Sequence, residues 1–478
     1  MKKWMIRALS ALLIAAFLPL SVLADEYDLS QGSVTVSTSK GADGSTQQNV
    51  THKENTKPDS NPIITSNGNE TKNTITIDAG AGTTANVTIK DANISASSGK
   101  AAIKTGGEGN VNLNVEGTNT VSSGSNYAGV EKANAGNLTI GSESGSGELT
   151  ANGGWHGAGI GGGHYRDAND ITITGGEVTA NGGDGAAGIG GGYYSYGKDI
   201  TISGGKVVAN GSGSAAGIGG GHYGNGSNIT ISGGEVTATG GDYGAGIGGG
   251  YYGNGSNITI SGGEVTATGG DCGAGIGGGY GRGGSNIAIS KASQVEAVGG
   301  AVGGAGGSSD GCGAAIGNGG NNNRVNGNEI VPDTSGLYTT GKVERKSGDG
   351  TVLETITGTV EPPVEPEKSA SSEEEADKRE PLYWVLHLDW TSLKHQAQEA
   401  DGVLALTAEA DGAILTGTLR ALGYLENQGI EKITFTDGTH SAELVLAELI
   451  AKGQPEDVYV LTLGAENTLT LNGEAIDF

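Results

Sequence analysis

A glycine-rich cluster, Gly-Ala-Gly-Ile-Gly-Gly-Gly or a near variant, centres on Ile160, Ile189, Ile218, Ile247 and Ile276, each step being 29 residues. Two other markers keep the same step. Ile171, Ile200, Ile229, Ile258 and Ile287 open Ile-Thr-Ile segments or close variants, and Val178, Val207, Val236 and Val265 are followed by Val295 after one inserted residue. Looser copies lie at Ala101-Ala102-Ile103, Ala128-Gly129-Val130 and Ala314-Ala315-Ile316. A period that recurs without drift marks a repeat architecture, in which each unit covers the hydrophobic face of its neighbour.

Within a unit the pattern has period two. Ile229 and Ile231 flank Thr230, and Val236 and Ala238 alternate with Glu235, Thr237 and Thr239. Such alternation puts Ile, Val and Ala on one face of a strand and Thr and Glu on the other. No 3.6-residue stripe runs through the repeats, so helical repeat units do not fit. One extended coil of this length has a contour of about 95 Å, enough for three short strands and their turns. The predicted fold is therefore all-β, a single-stranded parallel β-helix over residues 25–330. Its eight recognisable coils from Ile103 to Ile316, stacked at about 4.8 Å, span about 34 Å.

Stacking turns each sequence position into a column. Asp170, Asp199, Asn228, Asn257 and Asn286 precede the Ile-Thr-Ile strand; Asn and Asp tolerate left-handed turns and bond their own backbone, so this column reads as a structural ladder. The glycine clusters read as tight corners. Gly157 to Gly162 matches Gly-x-Gly-x-x-Gly, but its recurrence in every coil with no following helix denies it the context of a dinucleotide site. Gly192 to Lys198 has the outline of a phosphate loop, with Asp199 where a Ser or Thr would be needed.

After each glycine cluster come paired rings: His164-Tyr165, Tyr193-Tyr194, His222-Tyr223, Tyr251-Tyr252, then Tyr280 alone. Two readings fit. The rings form a ladder that stacks coil on coil, or they form a platform on which sugar rings stack while nearby Asn, Ser and Thr bond hydroxyls. Trp155, with His156, extends the patch at its first coil. Asp184, Asp242 and Asp271 share another column; Asp242 and Asp271 repel unless solvated or bridged, so the alternatives are a solvated acidic edge and a calcium site. No other cofactor is expected. Cys272 and Cys312 each lie four residues before a repeat isoleucine, which places them on adjacent coils about 5 Å apart if the residues around Ala301 to Ser309 loop out. That placement in an exported chain predicts a Cys272–Cys312 disulfide, with two thiols as the alternative.

Glycine makes up 93 of the 478 residues, and the net charge is −26. Binding to nucleic acid rests on neutralising phosphates, so that class is excluded. Residues 1–24 join Lys2, Lys3 and Arg7 to an apolar run from Ala8 to Leu23 and a small-residue site at Ala24, the pattern of a secretory signal peptide. A membrane-spanning helix fits less well, because Pro19 interrupts a run that is short for a bilayer. No second apolar stretch long enough to span follows. The expected location is extracellular, secreted or held at the cell surface.

Residues Asn86 to Ser95, Ala101 to Ile103, Gly117 to Val121 and Asn137 to Ile140 resemble secreted bacterial carbohydrate-binding β-helix proteins, and the AGIGGG repeats resemble those of surface proteins of Gram-positive bacteria. The resemblance covers roughly residues 29 to 325. It implies a right-handed parallel β-helix shaped like the pectin lyases, a polysaccharide ligand and a capacity for calcium.

From Val331 the repeat motifs fail. Residues 331–380 read as an exit segment and a solvated acidic linker with Pro362, Pro363 and Pro366. Residues 381–478 read as a small α+β domain, with strands at Leu382 to Leu388 and Ile433 to Phe435, helices at Thr416 to Leu425 and Leu446 to Lys452, and a strand pair in Tyr459 to Leu471. No motif there names a partner, and His387, His395 and His440 show no metal-ligand spacing.

The leading functional expectation is a non-catalytic carbohydrate-binding or adhesion protein whose partner is a polysaccharide or cell-surface glycan. The alternatives are a polysaccharide lyase or hydrolase on the same scaffold and a structural surface stalk. Against an enzyme, the basic residues Arg166, Lys198, Lys206, Arg282, Lys291 and Arg324 share no single column, and no glycosidase-type carboxylate pair stands out. An ice-binding face is suggested by Thr237/Thr239 and Thr266/Thr268, but Val208 and Asn181 interrupt its columns.

Overall fold

The structure is a computed structural model that describes residues 25–41, 44–301, 312–321, 326–361, 383–388, 393–400, 402–409, 412–427, 430–453, 457–464, 467–472 and 474–476. The expected signal segment, the expected acidic linker from residue 362 and the loop expected around residues 302–309 lie outside them. The chain divides into two units, Met1–Pro366 and Glu367–Phe478.

In the first unit every 29-residue period closes one coil. The Ile-Thr-Ile segments form a sheet of ten strands running from Glu26–Asp28 to Gly284–Ile289, all parallel. Ile171, Ile200, Ile229, Ile258 and Ile287 pair in direct register along it. The Glu-Val-Thr-Ala segments form a second sheet, in which Val178, Val207, Val236, Val265 and Val295 are successive partners. The glycine clusters supply two-residue strands that align Ile160, Ile189, Ile218, Ile247, Ile276 and Ile316 in a third. Neighbours in space are thus 29 apart in sequence, and the fold is a parallel β-helix.

The alternating pattern explains the core. Ile, Val and Ala of all three sheets point inward and pack in one continuous cluster from Tyr27 to Val343. Fully burying each isoleucine contributes roughly 1.5–3 kcal/mol. From Ile160 onward the glycine after the repeat isoleucine is obligatory: Gly219 has φ +131°, and a Cβ there would lie 2.1 Å from the carbonyl oxygen of Gly248 on the next coil. The same geometry recurs at Gly161, Gly190, Gly248, Gly277 and Gly317, whereas the two earlier coils put Lys104 and Glu131 in this column.

The Asp/Asn ladder forms as expected. Asp170, Asp199, Asn228, Asn257 and Asn286 all have φ between 51° and 55°, and the side-chain amide of each Asn donates to the residue one coil before it, at 2.8–3.0 Å. A second ladder, missed from sequence, links Asn152, Asn181 and Asn210.

Both ends depart from the regular coil. At the start, Val34–Lys40 joins the third sheet in parallel register, and Thr46–His52 and Asn55–Pro58 extend it antiparallel. At the other end the coil does not stop at residue 330: Lys342–Lys346 continues the second sheet in parallel register, and Val352–Thr357 turns back antiparallel beside it. The Lys-Val-Glu-Arg-Lys strand keeps the period-two core residue, Val343, without the glycine marker that made earlier coils visible.

Cys272 and Cys312 occupy adjacent coils, since their neighbours Gly273 and Gly313 are stacked backbone to backbone. The adjacent placement holds, but the expected disulfide does not join them. Cys272 is buried with φ +80°, and the Cys312 amide is held by the Asn326 side chain at 3.0 Å.

The second unit is α+β. Trp384–His387, Ala413–Thr418, Val458–Thr462, Thr468–Leu471 and Glu474–Ala475 make one antiparallel sheet. His395–Ala400, Val403–Ala408, Lys432–Thr436 and Ser441–Val445 make another. Helices span Leu419–Asn427 and Leu446–Ile450. The helix expected from Thr416 begins three residues later, because the β-branched Ile414, Thr416 and Thr418 favour extended backbone and Gly417 disfavours helix. His440 binds Asp437, Nδ1 to Oδ2 3.1 Å; burial alone would raise the Asp437 carboxyl, but the amides of His440, Gly412 and Thr439 and the imidazole hold it well below the usual range.

Candidate functional site: an aromatic comb on one turn of the coil

The rings sit where the chain turns after the third-sheet strand. His164, Tyr193, His222, Tyr251 and Tyr280 form an inner column. The amides of the last four donate to the carbonyls of His156, Gly185, Ser214 and Tyr243 at 2.8–3.1 Å, so a preceding turn runs alongside the column. That turn adds rings of its own. His156 stacks on Tyr193 at 4.2 Å, and Tyr243 lies 5.5 Å from Tyr251 and 5.3 Å from Tyr280. At Gly185 no side chain fits, since a Cβ would meet the Tyr193 ring at 2.3 Å.

Tyr165, Tyr194, Tyr223 and Tyr252 form an outer column. Successive rings are 5.7, 5.2 and 5.9 Å apart, with planes 24°, 10° and 6° from parallel. Their faces are therefore turned toward one another along the column, and solvent meets ring edges and hydroxyls. This is the ladder of the two sequence readings and not a row of flat faces laid open to solvent. Tyr165 is 68% exposed, Tyr194 46% and Tyr223 43%.

The outer column is built at a backbone cost. Tyr165, Tyr194, Tyr223 and Tyr252 have φ between 55° and 62°, a left-handed conformation that costs an L-residue roughly 1–2 kcal/mol. Gly281 takes the same turn, at φ 67°, one coil further on. Ring stacking returns about 0.5–1.5 kcal/mol per pair, so the column is close to neutral for stability.

Burial shapes the inner rings. It pushes the Tyr193 hydroxyl up to about 12, helped by its bond to Tyr194, and raises Tyr251 in the same way. Burial lowers His222 against the pull of Asp184, and lowers His156, with His164 acting in the same direction. The Nε2 atoms of His164 and His222 are buried without a hydrogen-bond partner.

Trp155 is 61% exposed and packs on His156 at 5.4 Å. In its column follow Asp184, Gly213, Asp242 and Asp271, so Asp242 and Asp271 do stand on adjacent coils. Among the described residues no group of three His, Cys, Asp or Glu is arranged to hold a metal. On the other side of the tyrosines an open groove of about 540 Å³ is lined by Tyr196, Tyr223, Asn225, Tyr252, Asn254 and Arg282. Arg282 lies over the Tyr252 ring at 5.8 Å and donates through Nε to the Tyr252 carbonyl at 3.1 Å. Sequence reasoning missed Tyr196 and Tyr243. Counting steps of 29 from His156 would have found Tyr243; Tyr196 has no ring in its column to reveal it.

A family model described as a beta helix repeat matches residues 144–164, 171–193, 200–222, 229–251 and 258–280. The chain is a parallel β-helix repeat protein. Each matched segment after the first runs from the Ile-Thr-Ile strand of the β-helix to an inner ring of the comb, so the aromatic site lies within the repeat itself. No curated protein and no solved structure matches the chain.

Proposed function

We propose that this β-helix is a non-catalytic glycan-binding or adhesion protein and that the outer tyrosine column with its groove is the binding face. The observation that carries the reading is the backbone of Tyr165, Tyr194, Tyr223 and Tyr252. Four bulky residues are kept in a left-handed turn that glycine would occupy without strain, in a chain rich in glycine. Local strain that ring stacking at most offsets, leaving no net gain in stability, points to a surface maintained for use.

The face repeats every coil, and a periodic row of hydroxyls and amides suits a ligand that is itself periodic. An extended polysaccharide advances per sugar by a length of the same order as one coil step of about 4.8 Å. Laid along the stacking axis, it meets a tyrosine edge at each residue, with Asn225 beside Tyr223 and Asn254 beside Tyr252. Export directed by residues 1–24 would carry the face outside the cell, where such polymers are found.

Sedimentation of the full chain with insoluble polysaccharides tests the reading. Wild type is retained by at least one polymer, Tyr194→Ala, Tyr223→Ala and Tyr252→Ala lose retention with unchanged far-UV circular dichroism, and no reducing or unsaturated ends appear. Equal retention of the three variants would remove the face from consideration, and polymer turnover would replace binding with catalysis.

A further inference from the structure

Arg166 and Arg282 are 116 residues apart, four steps of 29, with Ser195, Gly224 and Gly253 at the intervening steps. One repeated bond keeps this column in line: the amides of Gly192, Gly221, Gly250, Gly279 and Gly319 donate to the carbonyls of Arg166, Ser195, Gly224, Gly253 and Arg282. The six basic residues share no single column, but these two do. They are rooted roughly 19 Å apart at about 4.8 Å per coil. Arg166 shares a coil with Tyr165, and Arg282 lies one coil beyond Tyr252. Between them the column is small and buried, so nothing rises from the floor of the flank.

Each guanidinium has a polar contact on the coil. Arg166 Nε lies 4.0 Å from Glu131 Oε1, a carboxylate only 1% exposed, while the arginine side chain is 61% exposed. Arg282 is held through Nε by the Tyr252 carbonyl. Among the described residues, both of these contacts use Nε, which leaves the terminal nitrogens of each fork for a ligand. The opposite flank carries Asp184, Asp242 and Asp271. On the arginine flank, Asp167 is engaged through Oδ1 by the Tyr196 amide at 2.8 Å. Arg166 and Arg282 thus put positive charge at the two ends of one side of the tyrosine column, while Lys198 and Lys206 on the intervening coils pair with Asp199 at 3.6 Å and Glu177 at 3.5 Å, in a chain whose net charge is −26.

We infer that the ligand of this face is an anionic glycan lying along the stacking axis on the arginine flank, with Arg166 and Arg282 each holding one of its carboxylate, sulfate or phosphate groups. The inference rests on the glycan-binding reading and adds charge, orientation and a minimum length. Planar forks pair with such oxyanions in a bidentate manner. A polymer long enough to reach both makes the second contact within the complex, whereas a shorter oligomer makes only one.

Affinity electrophoresis of the full chain through two matched pairs tests this: carboxymethyl against hydroxyethyl cellulose, and dextran sulfate against dextran. Wild type is retarded more by a charged polymer than by its neutral partner, and the pair that does so identifies the anion. Arg166→Gln and Arg282→Gln each weaken retention by the charged polymer about tenfold, and Arg166→Gln, outside the groove, leaves retention by the neutral one unchanged. No preference for charge in the wild type, or undiminished retention of both variants, would overturn the inference; retention by the neutral polymers would then leave the tyrosine reading standing. Passage of the wild type unretarded through all four polymers would count against both.

Discussion

The rings of Tyr194 and Tyr223, 29 residues apart in the chain, lie 5.2 Å apart with their planes 10° from parallel. Neither ring reaches the hydrophobic interior. The contact exists because the backbone beneath stacks coil on coil, and the side chains inherit that spacing. If the column serves binding and not stability, replacing Tyr223 by Gly releases the left-handed strain as it removes the stacking. Tyr223→Gly should unfold within about 1 kcal/mol of wild type. Tyr223→Ala keeps the strain and should be less stable than Tyr223→Gly. Urea unfolding followed by far-UV circular dichroism compares the two.

The interior should behave differently. Ile247 is fully buried between Ile218 and Ile276. Ile247→Ala should cost about 2–5 kcal/mol, whereas Thr237→Ala, on the outward face of the second sheet, should stay within about 0.5 kcal/mol. The same unfolding measurement checks both.

Gly219 and Gly175 separate two uses of glycine. At Gly219 a Cβ meets the Gly248 carbonyl oxygen at 2.1 Å with φ +131°, while at Gly175 the nearest atom is 3.8 Å away. Gly219→Ala should lose about 2 kcal/mol or more, and Gly175→Ala should be near neutral. Thermal melts of the two variants give the comparison.

Lowered histidines imply a sign for acid sensitivity. The folded His222 sits below the ordinary value of about 6.5, so near and below that pH the unfolded chain binds more protons. The stability tied to neutral His222 is complete above the unfolded value and is lost as pH falls through about 6.5 toward the folded one. Replacing His222 by Tyr, the ring found in the same column at Tyr193 and Tyr251, should flatten the fall. Denaturation midpoints measured between pH 8 and pH 5 show the slope.

Much of the fold is legible in the residues alone, because the repeat carries its own register. The three strands per coil, the Asp/Asn ladder and the two ring columns follow from positions 29 apart. The coil at Lys342–Lys346 is hidden in the sequence because Val343 retains only core polarity. The shared column of Arg166 and Arg282 is hidden because three small residues separate them. Ring orientation is not legible at all, since spacing fixes where a tyrosine stands and not which way its plane turns. In the second unit, strands such as His395–Ala400 and Val403–Ala408 lack a repeat to announce them.

Hydroxyl-radical footprinting read by mass spectrometry tests the binding face most directly, with the full chain labelled alone and in the presence of carboxymethyl cellulose or dextran sulfate. The account predicts that polymer protects Tyr194, Tyr196, Tyr223 and Tyr252 while Tyr338, away from the comb in sequence and column, labels as before. Protection confined to other residues, with those four tyrosines as reactive as in the free protein, would contradict it.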